Sequence, residues 1–198
     1  MTAPFECEVR FLISDIAAFR ARLEALGAVN DVQYAFTDHY FRPREWSWDP
    51  RTRALRIREW REPARESELL LTCNEVVRVD RLACKRSLFP EGKLCLHRGA
   101  REDCERICDA LGFAWWLDVV KSDCGICDVP GLGQAIYERV EGLGWTSEVE
   151  VEGSDPAAAV ARIEWKLASL GVPPDAVTDE PMVVLVAERL GLLPPFSR

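Results

Sequence analysis

A chain of 198 residues with 48% hydrophobic and 29% charged side chains is long enough to bury a well-filled core and has the composition of a soluble globular protein. Its formal net charge of −8 argues against general nucleic-acid binding, which needs a clustered basic excess. No apolar run approaches the roughly 20 residues that span a bilayer. The start, Met1-Thr2-Ala3-Pro4-Phe5-Glu6, runs into an acidic stretch without a basic and then apolar leader, so the expectation is a cytoplasmic protein with eight reduced cysteines rather than a disulfide framework.

Residues 5–13 alternate as a β-strand, sending Glu6, Glu8 and Arg10 to one face and Cys7, Val9 and Phe11 to the other. Ser14-Asp15 caps an amphipathic helix that keeps its apolar period through Ile16, Phe19, Leu23 and Leu26 and ends at Gly27. Residues 32–42 are extended up to Pro43. Arg42, Arg44, Arg51, Arg53, Arg56, Arg58 and Arg61 form a basic segment inside an acidic chain, suited to an anionic ligand. Within it residues 53–60 alternate, with Leu55, Ile57 and Glu59 on one side and Ala54, Arg56, Arg58 and Trp60 on the other. Trp46, Trp48 and Trp60 flank this segment and read as packing or cross-strand contacts.

Leu69-Leu70-Leu71-Thr72 is a short strand, followed by an extended stretch at residues 76–79 and a turn at Pro90-Glu91-Gly92. Residues 101–111 predict a charged amphipathic helix stopped by Gly112, and residues 113–121 a strand. Residues 128–133 form a loop or hairpin tip. Strands at 134–140 and 145–152 follow, the second repeating the acidic alternation with Glu148, Glu150 and Glu152. Ser154-Asp155-Pro156 opens a helix to about Leu170, Pro173-Pro174 interrupts it, and a last helix covers residues 180–191. No linker divides the chain, so residues 1–198 are expected to form one domain. Many short antiparallel strands close into a barrel or a sandwich, and in a wide barrel the polar face can line a wet lumen. Periodicity alone leaves the choice of face open.

Paired carboxylates on two separate strands can hold a hard divalent cation through oxygen ligands; the competing reading is two half-buried strands with solvated acidic faces. Cys104-x3-Cys108 with Cys124-x2-Cys127 has the ligand count of a structural zinc site. Against zinc, the first pair sits at i and i+4 on a helix, where cysteines serve as small core residues. His39 and His97 suggest no triad and read as satisfied surface or core histidines. Gly131-x-Gly133 and Gly142-x-Gly144 are turns rather than phosphate loops, since neither opens a helix after a strand.

The ordered set Glu6-x-Glu8-x-Arg10, Thr37-Asp38-His39-Tyr40-Phe41, Ala54-Leu55-Arg56-Ile57-Arg58, Leu71-Thr72, Val119-Val120-Lys121, Val140-Glu141-Gly142-Leu143-Gly144 and Glu148-Val149-Glu150 resembles the CYTH proteins. These include class IV adenylyl cyclases, thiamine triphosphatases and inorganic triphosphatases, and Leu170-Gly171-Val172-Pro173 resembles the thiamine triphosphatase branch. The resemblance implies an α+β fold: an eight-stranded antiparallel β-barrel, a tunnel open at both ends with charged residues inside, and flanking helices. It implies Glu6, Glu8, Glu148 and Glu150 as carboxylates for Mg²⁺ or Mn²⁺, with Glu138 as a further metal or water ligand. It assigns Arg10, Arg56, Arg58 and Lys121 to the phosphates, and Lys121 joins the four glutamates in the catalytic set; Asp80 matches a family glutamate only loosely. Arginine suits phosphate because its planar fork donates two parallel hydrogen bonds. The carboxylates would repel a triphosphate unless they carried a metal, and phosphoryl transfer asks mostly for positioning and charge stabilisation.

Three basic positions of the family pattern are replaced here by Asn74, Asp123 and Met182. Each lost charge-assisted contact to phosphate costs about 1.5–3 kcal/mol, and Lys85 with Arg86 is the candidate compensation. The expected function is a metal-dependent phosphohydrolase acting on a triphosphate-containing or other phosphorylated small anion. The alternatives are a class IV adenylyl cyclase-like enzyme or a non-catalytic tunnel that binds a phosphorylated ligand. The expected partner is that small molecule, with no nucleic acid and no membrane, in a monomer or homodimer.

Overall fold

The first strand, β1 (Phe5–Leu12), keeps the alternation of its sequence and is followed by helix α1 (Ile16–Ala25). Asp15 caps α1 by accepting from the Ala18 N–H at 3.0 Å. Then come β2 (Val29–Pro43), β3 (Arg53–Glu62), β4 (Ser67–Val79), β5 (Leu82–Ser87) and β6 (Leu94–Gly99). Helix α2 (Arg101–Ala110) leads into β7 (Phe113–Val129), β8 (Gly133–Val140) and β9 (Gly144–Gly153). Helix α3 (Pro156–Leu170), the short β10 (Val177–Thr178) and α4 (Met182–Arg189) complete the chain. Asp155 caps α3 at Ala157 N, Pro156 fills its first turn, and Gly171 closes it at φ 74, a left-handed position glycine adopts without strain. This computed structural model describes residues 5–80, 82–89 and 92–193.

The strands hydrogen-bond in the order β1-β5-β4-β3-β2-β7-β8-β9, and β9 pairs back with β1. The result is a closed eight-stranded antiparallel barrel with flanking helices, an α+β fold. Strand β6 pairs with β4, and β10 pairs with β1, outside that ring.

The chain divides into two compact units: the described residues of 1–34, 76–86 and 122–179, and those of 35–75, 87–121 and 180–198. In the first, Cys7, Val9 and Phe11 of β1 and Val149 and Val151 of β9 pack under Phe19 and Leu23 of α1 and Val160, Ile163 and Leu167 of α3. Phe11 and Phe19 meet edge to face with centroids 5.9 Å apart. In the second, Phe41, Leu55, Ile57 and Leu69 pack against Cys104 and Cys108 of α2.

Several elements depart from the sequence expectation. The stretches at 69–72 and 76–79 belong to one strand, and β7 runs on through Asp123 and Gly125 instead of stopping at 121. Polar and glycine residues there read as a strand end. Yet Asp123 takes a left-handed φ of 50, and Gly125 gives the Tyr137 ring room. The expectation that all eight cysteines are reduced is also overturned, because Cys7 and Cys84 are joined in a disulfide. They stand directly opposite each other across β1 and β5, with Cα atoms 4.3 Å apart, the close approach of a non-hydrogen-bonded antiparallel pair. The bridge links residues 77 apart in sequence, a pairing that only the strand order creates.

A Cβ at Gly125 would collide with the Tyr137 hydroxyl and ring, which Asp31 holds in place by accepting from the hydroxyl at 2.8 Å. Gly125→Ala should therefore cost about 1–3 kcal/mol by overpacking. Gly153→Ala, whose Cβ would sit 3.8 Å from its nearest neighbour, should change stability little. Urea denaturation of the two variants checks the contrast.

Candidate functional site

In the first unit the helices cover the Cys7–Val9–Phe11 face of β1, so the other face carries the charges. Antiparallel register places Glu6 opposite Glu152, Glu8 opposite Glu150 and Arg10 opposite Glu148. On its other side Glu6 lies opposite Lys85 of β5. Directly opposed residues share a face, so five carboxylates and two cations are gathered there. The cations are unevenly shared. Arg10 forms an ion pair with Glu8 and a second, at 2.8 Å, with Glu148. Lys85 Nζ donates to Glu8 Oε2 at 3.2 Å.

Glu6, Glu150 and Glu152 are left as the acidic end of this face. Their ligand oxygens lie within 4.8 Å of one another, which makes them the group among the described residues that could hold a metal ion. Partial desolvation, then the charges of Glu6, Glu148 and Glu152, raise the Glu150 carboxyl to about 7. Glu6 is raised by burial and by Glu148 and Glu152, against the pull of Lys85 and Arg10. Lys85 is lowered to about 8 by burial and by Arg10.

Glu138 of β8 is buried on the same unit, and the Tyr34 hydroxyl donates to its Oε1 at 2.7 Å. Burial and that carboxylate push the Tyr34 hydroxyl above the ordinary tyrosine range, which keeps it a donor. Tyr34 was missed by sequence reasoning, although it shares the alternation of Phe36 and Asp38 and so was open to being read. Glu152 was seen in its acidic run but left out of the ligand set.

The second unit gathers the cations. Asp38 is 3% exposed and lies opposite Arg58, which donates to both its carboxylate oxygens at 2.7 Å. Arg56 Nε is 3.3 Å from the same Asp38, and its Nη1 donates to Thr72 Oγ1 at 3.3 Å. The Arg58 guanidinium lies 3.9 Å from the Phe36 centroid, and Lys121 Nζ lies 5.3 Å from the same ring. Burial alone would raise Asp38, but Arg58 and Arg56 outweigh it and hold the carboxyl below its ordinary value. Lys93 stands nearby, lowered by desolvation and by Arg58 and Arg56. Asp38 belonged to the resemblance motif without a role, and Lys93 carried no sequence signal.

The remaining candidates fall elsewhere. Met182 is buried at the start of α4, Asp123 is exposed and pairs with Arg139 at 3.4 Å, and Asn74 donates its backbone N–H to Thr52. His39 is a satisfied core histidine, with Nδ1 2.8 Å from Asp118 and Nε2 3.1 Å from Glu59. Cys104 and Cys108 sit in the second core, where burial pushes the Cys108 thiol up to about 12. Cys124 and Cys127 are buried in the first unit, their sulfurs on the carbonyls of Ser122 and Ala135. No helix among the described residues is long and apolar enough to cross a membrane.

Removing the Asp38 carboxylate leaves two guanidiniums without their buried counter-ion. Asp38→Ala should cost about 3–5 kcal/mol in chemical denaturation, and Asp38→Glu should recover part of it. Glu150 gives a pH test. A carboxyl raised from 4.5 to about 7 contributes stability below 4.5 and loses it as pH rises toward 7. The metal-free protein should lose Tm between about pH 4.5 and 7, and Glu150→Gln should flatten that decline.

The family model of the CYTH domain matches residues 4–175. A conserved protein of Pyrococcus furiosus superposes with a TM-score of 0.69 at 21% identity, over 91% of this chain and 99% of that one. A Pyrococcus horikoshii protein gives 0.71 at 20% identity, over 93% and 99%. A Hippeastrum protein assigned as an adenylyl cyclase, with a dominant triphosphatase activity, gives 0.54 at 16% identity, over 97% and 98%. At these identities the structural likeness speaks for the fold. No curated protein matches in sequence.

Proposed function

Because the chain belongs to the CYTH family, whose members are triphosphatases and cyclases, we propose that it is a metal-dependent phosphohydrolase acting on a triphosphate-containing or other phosphorylated small anion. The observation that carries this reading is the crowding of Glu6, Glu150 and Glu152, which raises the first two carboxyls and so makes a dication welcome. Enzymes of the family generally use divalent metals, and a carboxylate donor set suits hard ions such as Mg²⁺ or Mn²⁺. Glu6, Glu150 and Glu152 would hold the ion, while Glu8 and Glu148 are engaged by Arg10 and, for Glu8, Lys85. When bound, such an ion supplies charge neutralisation and polarisation of phosphate oxygens.

The residues of the chain supply the rest. Asp38 holds one edge of the Arg58 guanidinium through two hydrogen bonds, while Arg56 is held by its ion pair with Asp38 and its hydrogen bond to Thr72, so both present their other N–H groups in a set orientation. Stacking on Phe36 further limits the freedom of Arg58, and preorganised donors need no rearrangement as charge builds on the transferred phosphoryl group. Lys121 adds a buried point charge beside them. Glu138, steadied at Oε1 by Tyr34, orients the attacking water. Water adds to the terminal phosphorus and loses a proton to solvent as the bridging P–O bond breaks; the bridging oxygen departs with the shortened phosphate chain, and inorganic phosphate is released. The Hippeastrum neighbour's dominant triphosphatase activity supports hydrolysis over cyclisation. Asn74, Asp123 and Met182 favour a second reading, a phosphate-binding protein without turnover.

Phosphate release from tripolyphosphate, thiamine triphosphate and ATP, measured with Mg²⁺ or Mn²⁺, tests the proposal. Arg56→Ala and Glu150→Gln should each lower kcat/KM by about tenfold to a hundredfold, the rate equivalent of one charge-assisted contact. Unchanged activity in both variants would remove the site assignment. A cyclic nucleotide from ATP would point to the cyclase, and saturable binding without released phosphate to the binding protein.

A further inference from the structure

Lys85 does not behave as a surface lysine. Long basic side chains normally keep their ammonium in water, yet Lys85 is 8% exposed. Strand register puts it opposite Glu6, which is itself opposite Glu152 on the far side. Its Nζ sits 3.2 Å from Glu8 Oε2, while Arg10 takes Glu8 Oε1. Both oxygens of Glu8 therefore already accept from a fixed cation. The charges of Glu6, Glu148 and Asp179 attract the ammonium and that of Arg10 repels it. A buried ammonium is retained only where such carboxylates compensate for its lost hydration. At Glu8 a covalently attached cation thus does what a bound dication does among carboxylates. Glu6, Glu150 and Glu152 remain as the group whose oxygens converge within 4.8 Å.

We propose that Lys85 is a built-in cation standing in for a second divalent ion, so that this acidic face binds one dication, on Glu6, Glu150 and Glu152, and not two. The proposal rests on the metal-dependent reading only for the existence of that one ion. It also moves Lys85 away from the phosphate-gripping role its sequence position suggested. With Lys85 replaced by a carboxylate, Glu8 would regain an open oxygen beside Glu6 and a new acidic neighbour.

The test is Mn²⁺ binding to the full chain in phosphate-free buffer, read by isothermal titration calorimetry and by the electron paramagnetic resonance signal of free Mn²⁺. Wild type and Lys85→Arg should bind one ion per chain. Lys85→Glu should bind two, and Lys85→Met should bind the first at least tenfold more tightly. Circular dichroism melts identify any variant that fails to fold, in which case Lys85→Met carries the comparison. Two ions in the wild type, or unchanged stoichiometry and affinity in the folded Lys85→Met and Lys85→Glu proteins, overturn the proposal. Binding by Lys85→Glu alone supports it and instead removes the metal dependence proposed above; no binding by any variant removes both.

Discussion

The antiparallel register of β1 against β9 is the constraint on which the acidic site depends. It sets Glu6, Glu8 and Arg10 against Glu152, Glu150 and Glu148, so that every charged side chain of one strand meets a charged side chain of the other. A slip of one residue would turn all of them toward α1 and α3 and bring Cys7, Val9 and Phe11 to the opposite face. The apolar alternation forbids that slip, because the core under the two helices is built from those same odd-numbered positions. Burial of hydrophobic residues on one face thereby enforces electrostatic crowding on the other.

The two units handle buried charge in opposite ways. Around Asp38 one carboxylate is shared by two guanidiniums, so the local excess is positive and its donors are held rigidly by hydrogen bonds and aromatic faces. Around Glu8 one carboxylate is shared by Arg10 and Lys85, yet the surrounding strands add Glu6, Glu148, Glu150 and Glu152, so the local excess is negative. In each case a deeply buried carboxylate is shared by two cations, and its neighbours set the sign of the local excess. Like charges crowded together, as at Glu150, then respond strongly to protons or to added cations.

Cysteine usage follows geometry more than redox convention. Cys7 and Cys84 face each other at a pairing site where an antiparallel sheet brings Cα atoms closest, and they form a bridge. Cys104 and Cys108 project from α2 into an apolar core and serve as small hydrophobic side chains. The i, i+4 spacing of Cys104 and Cys108 already pointed to a core role, whereas no spacing marks Cys7 and Cys84 as partners, since only the strand order sets β5 beside β1.

What the amino-acid sequence determined by itself was local. Period-two alternation placed Glu6, Glu8 and Arg10 on one face and Glu148, Glu150 and Glu152 on another, and Asp15 and Asp155 marked the starts of their helices. The ordered motifs also carried the family, and with it the closed barrel. Strands β5 and β6 were not legible, being short and polar at their edges, nor was the continuation of β7 past Asp123. Which carboxylates are neutralised and which crowd together was decided only by the tertiary structure. That outcome depends on the strands lying beside β1: β5 brings Lys85 to Glu8, and β9 sets Glu148 against Arg10. Ion pairing falls off over a few ångströms, and those distances arise from pairings between residues 77 and 138 positions apart, which no local pattern encodes.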